Sequence, residues 1–183
     1  MNKPISARNW PHLLPRPAGF TLSELLACLV IAGILATAAL PLMNRLVAEQ
    51  RVVSATNSLL SLMRLARAEA MTGGPVLLCD NNYECSSFEP TQQLSLIRAD
   101  STPPHIKPRP DSSPLALLTL PGDVHVSWRR FRGDALVFHR SGILHFQNGH
   151  FLVCNRLAGR RIVMNWAGRP RVEHKDHNTP CPL

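Results

Sequence analysis

The chain has 183 residues, a length that allows one globular domain with a single core. Its 20 Lys and Arg against 12 Asp and Glu give a net charge of +8, which favours anionic partners over cationic ones. From Asp123 onward ten Lys or Arg stand against four acids, together with six of the eight His. This basic C-terminal third predicts a surface that binds polyanions or anionic surfaces.

An apolar segment of 21 residues, Phe20–Leu40, follows a short N-terminal arm. At about 1.5 Å per residue, a helix of this length crosses a hydrocarbon core of roughly 30 Å, so the segment predicts a membrane span. Its one acid, Glu24, is costly in lipid and needs a partner. The arm, Met1–Gly19, carries three basic residues and no acid.

The nine residues from Pro17 to Leu25, PAGFTLSEL, resemble the prepilin-peptidase site of type IV pilins and type II secretion pseudopilins. The resemblance implies that residues 1–19 are a leader cut after Gly19 and that the new N-terminal Phe20 is methylated. It also implies that Glu24 pairs with the N-terminal amine of a neighbouring subunit in a filament. The alternative is an ordinary signal anchor. A signal peptide, however, has its cleavage site after the apolar core, where only the ATA triplet at 36–38 imitates one.

A helix is predicted to continue beyond the apolar segment. Pro41 should kink or locally unwind it, which separates a membrane or filament-core half (20–41) from an amphipathic half (42–73). Gly73-Gly74-Pro75 should end it. Apolar residues at spacings of three and four predict a core-facing stripe: Val52, Ala55, Leu59, Met63, Ala66 and Ala70.

Short strands are predicted after Pro75. They cover residues 76–79, 93–98, 115–120, 124–128, 135–139, 143–146, 150–154, 160–165 and 169–173. Asn148-Gly149 between two alternating runs indicates a hairpin, and the Pro-rich stretch 100–114 indicates a loop. The predicted fold class is therefore α+β, a type IV pilin-like lollipop. One long N-terminal helix, kinked near Pro41, packs on antiparallel β-sheet, and residues 75–183 form a β-rich head.

The five cysteines divide into one and four. Cys28 lies in the apolar segment, where a thiol behaves as a small hydrophobic group. Cys79, Cys85, Cys154 and Cys181 would face the oxidising side of a membrane, which predicts two disulfides. A Cys79–Cys85 bond would close a short loop and a Cys154–Cys181 bond would tie down the tail, although three pairings are possible. Zinc is the alternative, but the spacings lack the paired C-x2-C pattern.

The second half carries several strings in a recognisable order. These are an apolar strand ending in Cys79, FLVC at 151–154, GRRIVM at 159–164, GRPR at 168–171 and PCP at 180–182. They resemble the GspH/FimT group of minor pilins, whereas residues 86–122 depart from it with a Pro-rich insertion. GRPR matches the GRxR motif of the FimT members, which bind DNA during natural transformation. The resemblance therefore implies DNA binding here.

The basic residues near this motif suit phosphate binding. Arg169 and Arg171 are two apart on a predicted strand and share a face, and either Arg160 or Arg161 across the hairpin can join them. Arginine holds phosphate bidentately and keeps its charge. Lys175 would extend the patch.

Two further basic stretches are open to more than one interpretation. His174 and His177 either extend the patch or belong to a solvated tail. The run Arg129-Arg130-Phe131-Arg132 is either a second contact region or a turn whose aromatic neighbours enter the core. The arginines of the main patch, in turn, would only solvate an edge hairpin if Glu173 and Asp176 neutralise them.

Catalysis finds no support, since the sequence lacks a nucleophile elbow, paired carboxylates or an H-E-x-x-H helix. The spacing His174-x2-His177-x3-Cys181 resembles a metal half-site, but a disulfide at Cys181 would remove one ligand. We therefore expect a non-enzymatic protein with neither metal nor cofactor.

The preferred hypothesis is a minor pilin that binds double-stranded DNA for uptake. Its expected partners are other pilin or pseudopilin subunits, prepilin peptidase, the bacterial inner membrane before assembly, and DNA. The head would lie in the periplasm and later in an extracellular filament. The alternatives are a GspH-like pseudopilin or FimU-like tip subunit that primes secretion or pilus assembly, and an adhesin for an anionic surface.

Overall fold

The computed structural model describes residues 19–80, 85, 91–100, 113–131, 133, 135–144, 147–173 and 181. Within these ranges the chain forms one long α-helix, α1 (Leu22–Gly73), followed by eight β-strands. The chain divides into two compact units at Pro41, Met1–Pro41 and Leu42–Leu183. The predicted α+β class, one long N-terminal helix and antiparallel sheet, is confirmed.

The N-terminal part of α1 is apolar and exposed. It contains an 18-residue window with a mean hydropathy of 2.5, none of which is buried within the protein. Leu29 and Ile34, for example, are each 65% exposed. By length and composition this segment is a candidate membrane span. Pro41 lies inside α1, which is not unwound there.

The C-terminal part of α1 is amphipathic. All six residues of the predicted stripe, from Val52 to Ala70, are no more than 2% exposed, so that prediction is confirmed. The helix ends at Gly73, and Gly74 follows with a φ of 105°, a left-handed conformation that glycine adopts at little cost. Pro75 then prevents its continuation.

The eight strands form two four-stranded sheets. Their bounds are β1 (Val76–Asp80), β2 (Gln93–Arg98), β3 (Ala116–Thr119), β4 (His125–Arg129), β5 (Leu136–Phe138), β6 (Gly149–Cys154), β7 (Gly159–Met164) and β8 (Pro170–Glu173). The first sheet has the order β3-β2-β1-β5 and the second β4-β6-β7-β8, with every neighbouring pair antiparallel. A single bridge between Thr91 and Val126 joins the two sheets within the described ranges.

One apolar core unites the amphipathic part of α1 with both sheets. Leu59 and Met63 of the helix belong to the same buried cluster as Leu96 of the first sheet and Phe151 and Ile162 of the second. Each of these side chains is less than 2% exposed. Burying a side chain of this size stabilises a fold by about 1.5–3 kcal/mol, so the stripe on α1 holds the two sheets in place.

Two predicted features of the β region are wrong. Ile143 and Leu144 were expected in a strand but lie outside any strand, and the Leu144 N–H donates to the Trp166 carbonyl at 2.8 Å. Asn148-Gly149 does not join two paired strands, because Gly149 is itself the first residue of β6 and pairs with Met164. A Cβ on Gly149 would stand 2.6 Å from the Arg129 carbonyl oxygen, so glycine is needed there for close approach.

Both predicted disulfides are present, with the pairings Cys79–Cys85 and Cys154–Cys181. The second bond fixes Cys181 against the end of β6, where its N–H also donates to the Asn155 carbonyl at 3.2 Å. Cys28 is free and exposed.

Buried Asn155 connects the turn after β6 to α1. Its Nδ2 donates to the Ala48 carbonyl at 3.0 Å, and its Oδ1 accepts the N–H groups of Leu157 and Ala158 at 3.0 and 2.8 Å. A buried amide that is satisfied in this way orients the β6–β7 hairpin on the helix.

Candidate functional site

A rigid turn positions the arginines of the GRPR string. The Gly168 N–H donates to the Asn165 carbonyl at 3.0 Å, and the Arg169 N–H donates to Asn165 Oδ1 at 3.3 Å. Gly168 has a φ of 69°, and a Cβ there would overlap the carbonyl oxygen of Gly142. The glycine is therefore a structural requirement, and it sets the direction in which the chain enters β8.

The second sheet, which ends in β8, places a mainly polar set of residues on one surface. Ile162 and Met164 of β7 face the core, so the alternate residues Arg161 and Val163 face away from it. The pairings between β4, β6, β7 and β8 extend this surface, which we call the outer face of the second sheet. It consists of Ser127, Arg129, His150, Leu152, Arg161, Val163, Arg171 and Glu173.

Arg169 and Arg171 are both exposed. Neither has an ion-pair partner among the residues that the structure describes. Arg161, by contrast, lies opposite Glu173 and its Nη1 forms an ion pair with Glu173 Oε2 at 3.3 Å, with both side chains 39% exposed. Exposed pairs of this kind contribute about 0–1 kcal/mol, and a polyanion can compete for the arginine.

The structure separates the two arginines of the GRRIVM string. Arg161 joins Arg171 on the outer face, as expected for one of the two, whereas Arg160 lies on the opposite face beside Glu49 and Val53 of α1. Lys175, His174 and His177 lie outside the described residues.

The second basic run, residues 129–132, combines exposed arginines with aromatic side chains that pack together. Trp128 and Phe131 pack against Phe151, with ring centroids 5.3 and 5.2 Å from it and 4.4 Å from each other. Between them, Arg129 and Arg130 are exposed. Arg132 lies outside the described residues.

His150, which the sequence did not single out, lies in the middle of the outer face. Burial lowers its pKa below the usual 6.5, and the positive charges of Arg161, Arg130 and Arg129 lower it further, against an opposing effect of Glu173. His150 is therefore largely neutral at pH 7. All three arginines lie close enough to His150 to affect its pKa.

The N-terminal site is a capping box. Gly19 and Phe20 precede α1, and Thr21 caps it: its N–H and its hydroxyl each donate to Glu24 Oε2 at 2.9 Å. The Glu24 N–H returns a bond to Thr21 Oγ1 at 3.3 Å. This partner of Glu24 was not predicted, although Thr-x-x-Glu is a known helix-start pattern.

We also considered metal sites and cavities. No group of three or more His, Cys, Asp or Glu suited to a metal ion occurs in the described part of the chain. A cavity of about 540 Å³ lies beside the Cys154–Cys181 disulfide and is lined by Ala48, Asp123, His125 and Asn155, among others.

Comparison with known proteins agrees with these features. Residues 55–168 match the family of the type II transport protein GspH, and residues 14–40 match the prokaryotic N-terminal methylation motif. No curated protein matches the sequence significantly.

Solved structures of one minor pilin share the fold. The type IV minor pilin FimU of Pseudomonas aeruginosa, in two crystal forms, gives TM-scores of 0.53 and 0.50 at 17% and 18% identity. These matches cover 71% and 69% of this chain and 93% and 95% of FimU. The minor pseudopilin EpsH of Vibrio cholerae gives a TM-score of 0.46 at 12% identity, covering 66% of this chain and 94% of EpsH.

The long N-terminal helix, the antiparallel sheets and the methylation motif define the class of type IV minor pilins and pseudopilins. Because the GspH match spans more than half of the residues, the chain belongs to the GspH family.

Proposed function

We propose that this chain is a minor pilin that binds double-stranded DNA, without sequence preference, for uptake in natural transformation. Arg169, Arg171 and Arg161 would hold the phosphates. The observation that carries the proposal is the exposed pair Arg169 and Arg171, which no described carboxylate neutralises. Their place after Gly168 resembles the GRxR motif of FimT.

Phosphate contacts of this kind are sequence-independent and salt-dependent. Each contact adds about 0.9 to the slope of log affinity against log salt concentration. A contact therefore strengthens binding by about eightfold at 0.1 M salt relative to 1 M. Two or three contacts give weak binding by one subunit, and several copies in a filament would raise it by avidity.

The N-terminal residues would mount this head on a filament. The methylation motif at 14–40 supports cleavage after Gly19 by prepilin peptidase and methylation of Phe20. Glu24 would then pair with the N-terminal amine of a neighbouring subunit. Before assembly the apolar part of α1 would hold the protein in the inner membrane with the head in the periplasm. The protein would act by binding and assembly, not by catalysis.

The test uses the full chain in an uncharged detergent and a fluorescent DNA duplex titrated at several salt concentrations. Arg169→Gln with Arg171→Gln should remove two contacts, lowering the salt slope by about 1.8 and the affinity at 0.1 M salt by about 60-fold. The control is Arg64→Gln with Arg156→Gln. It removes the same charge from two exposed positions, one on α1 and one in the turn between β6 and β7. Equal loss in both variants would reject the site.

The second candidate function is that of a GspH-like pseudopilin or FimU-like tip subunit that primes assembly. The GspH match and the similarity of the fold to FimU favour it. This function predicts no DNA affinity at low salt, together with fewer filaments or less secretion when the protein is absent.

A further inference from the structure

We propose that the DNA site continues across the outer face of the second sheet to Arg129 and Arg130, so that one subunit contacts phosphates at both edges of the sheet. This inference rests on the proposed DNA-binding function and adds residues to that site. It is carried by strand register, by exposure and by the convergence of charge on His150.

The register places Arg129 and Arg171 in one row. Arg129 lies opposite His150, His150 opposite Val163, and Val163 opposite Arg171. The row crosses β4, β6, β7 and β8 in order. Neighbouring strands are about 4.8 Å apart, so the two arginines at its ends stand about 14 Å apart at the backbone.

The β4 end of the row is held in place from both sides. Trp128 before the arginines and Phe131 after them are anchored in the aromatic cluster with Phe151. Arg130 has a φ of 64°, a left-handed conformation that is uncommon and unfavourable for a residue other than glycine. Because Trp128 and Phe131 anchor the chain on both sides, Arg129 and Arg130 extend from an ordered backbone, which lowers the entropy lost on binding.

The charge on this row is poorly compensated within the described residues. Glu173 is the acid that acts on His150, and Arg161 already pairs with it. Arg129, Arg130 and Arg161 oppose a positive charge on His150, and these same groups favour a phosphate at that place.

The dimensions of the row fit a duplex. The major groove of B-DNA is about 12 Å wide, comparable with the span of about 14 Å between the two ends of the row. Arginines at opposite edges of the sheet can thus reach backbone phosphates on the two sides of one groove. The uncharged middle, Val163 and neutral His150, faces the groove between them.

The experiment again uses the full chain in uncharged detergent and the same duplex. Arg129→Gln with Arg130→Gln should weaken binding by about 8- to 60-fold at 0.1 M salt and lower the salt slope by about 0.9–1.8, for one or two lost contacts. The Arg64→Gln with Arg156→Gln control should change little. Arg129→Lys with Arg130→Lys should recover most of the slope, since it keeps the charge, and this variant guards against a folding defect in the Gln variant.

The outcomes separate the two proposals. If Arg169→Gln with Arg171→Gln weakens binding but Arg129→Gln with Arg130→Gln behaves as the control, the extension is wrong and the proposed function stands. If none of the variants differs from the control, or the chain does not bind DNA at low salt, both are wrong.

Discussion

Replacing Gly168 with Ala tests whether the turn before β8 creates the basic site. Gly168 has a φ of 69°, where a residue with a Cβ costs about 1–2 kcal/mol. The added methyl would also overlap the Gly142 carbonyl oxygen, and the backbone shift that relieves this costs about 1–3 kcal/mol. Reduced freedom of the unfolded chain returns about 0.4–1 kcal/mol. We expect a net loss of about 1–4.6 kcal/mol.

The assay is urea unfolding of the head followed by circular dichroism, with the free energy taken from the midpoint and slope. Gly122→Ala is the matched control, since a Cβ there meets no atom within 4 Å and the residue is not among the glycines with positive φ. It should change stability by no more than about 0.5 kcal/mol. DNA affinity of Gly168→Ala should also fall, because Arg169 and Arg171 follow the displaced turn. If Gly168→Ala is as stable as Gly122→Ala, our account of this glycine is wrong.

Two further predictions concern the head. Replacing Cys154 and Cys181 with Ala should lower the free energy of unfolding by about 3.5 kcal/mol, because this bond spans 27 residues. The same change at Cys79 and Cys85, a bond that spans 6 residues, should lower it by about 2.2 kcal/mol. The urea midpoints of the two double variants test this difference. A larger loss from the shorter loop would contradict the chain-entropy argument. The free energy of unfolding should also fall as the pH drops from 7.5 through 6.5. The pKa of His150 is lower in the folded chain than in the unfolded chain, so the unfolded chain binds more protons over this range. His150→Asn should reduce this slope, and an unchanged slope would show that His150 is not its source.

Local features of the fold were predictable from the sequence. The stripe from Val52 to Ala70 follows from helical spacing, and the stop at Gly73-Gly74-Pro75 follows from the conformations that glycine and proline allow. The disulfide pairings were not fixed by spacing and required the folded chain.

Features that depend on pairing between distant strands were not predictable. The division into two sheets depends on which strand lies beside which, and alternation of residues along one strand does not encode that. Gly149 has the signal of a hairpin turn, yet it serves close packing against Arg129 within β6. Arg129 and Arg171 come into one row only because β6 and β7 lie between their strands.

Within the site, β8 begins at Pro170, so the shared face of Arg169 and Arg171 stays a prediction. The choice between Arg160 and Arg161 was not predictable, since it depends on which face of β7 meets α1. Thr21 was readable as a cap from the Thr-x-x-Glu spacing, but Glu24 was interpreted only by its cost in lipid and by its pairing with a neighbouring subunit.

The capping box of α1 bears on the proposed pairing of Glu24 with a neighbouring subunit. Both hydrogen bonds from Thr21 fall on Oε2 of Glu24, and among the described residues no group donates to Oε1. An ionised carboxylate accepts about four hydrogen bonds, so a neighbour's amine can bind at Oε1 while the cap stays closed. A cap is worth about 0.5–2 kcal/mol, and this stabilisation would be kept when the amine binds. In the proposed filament the first turn of the helix would thus remain folded, and the neighbouring amine would meet a carboxylate that is already held in position.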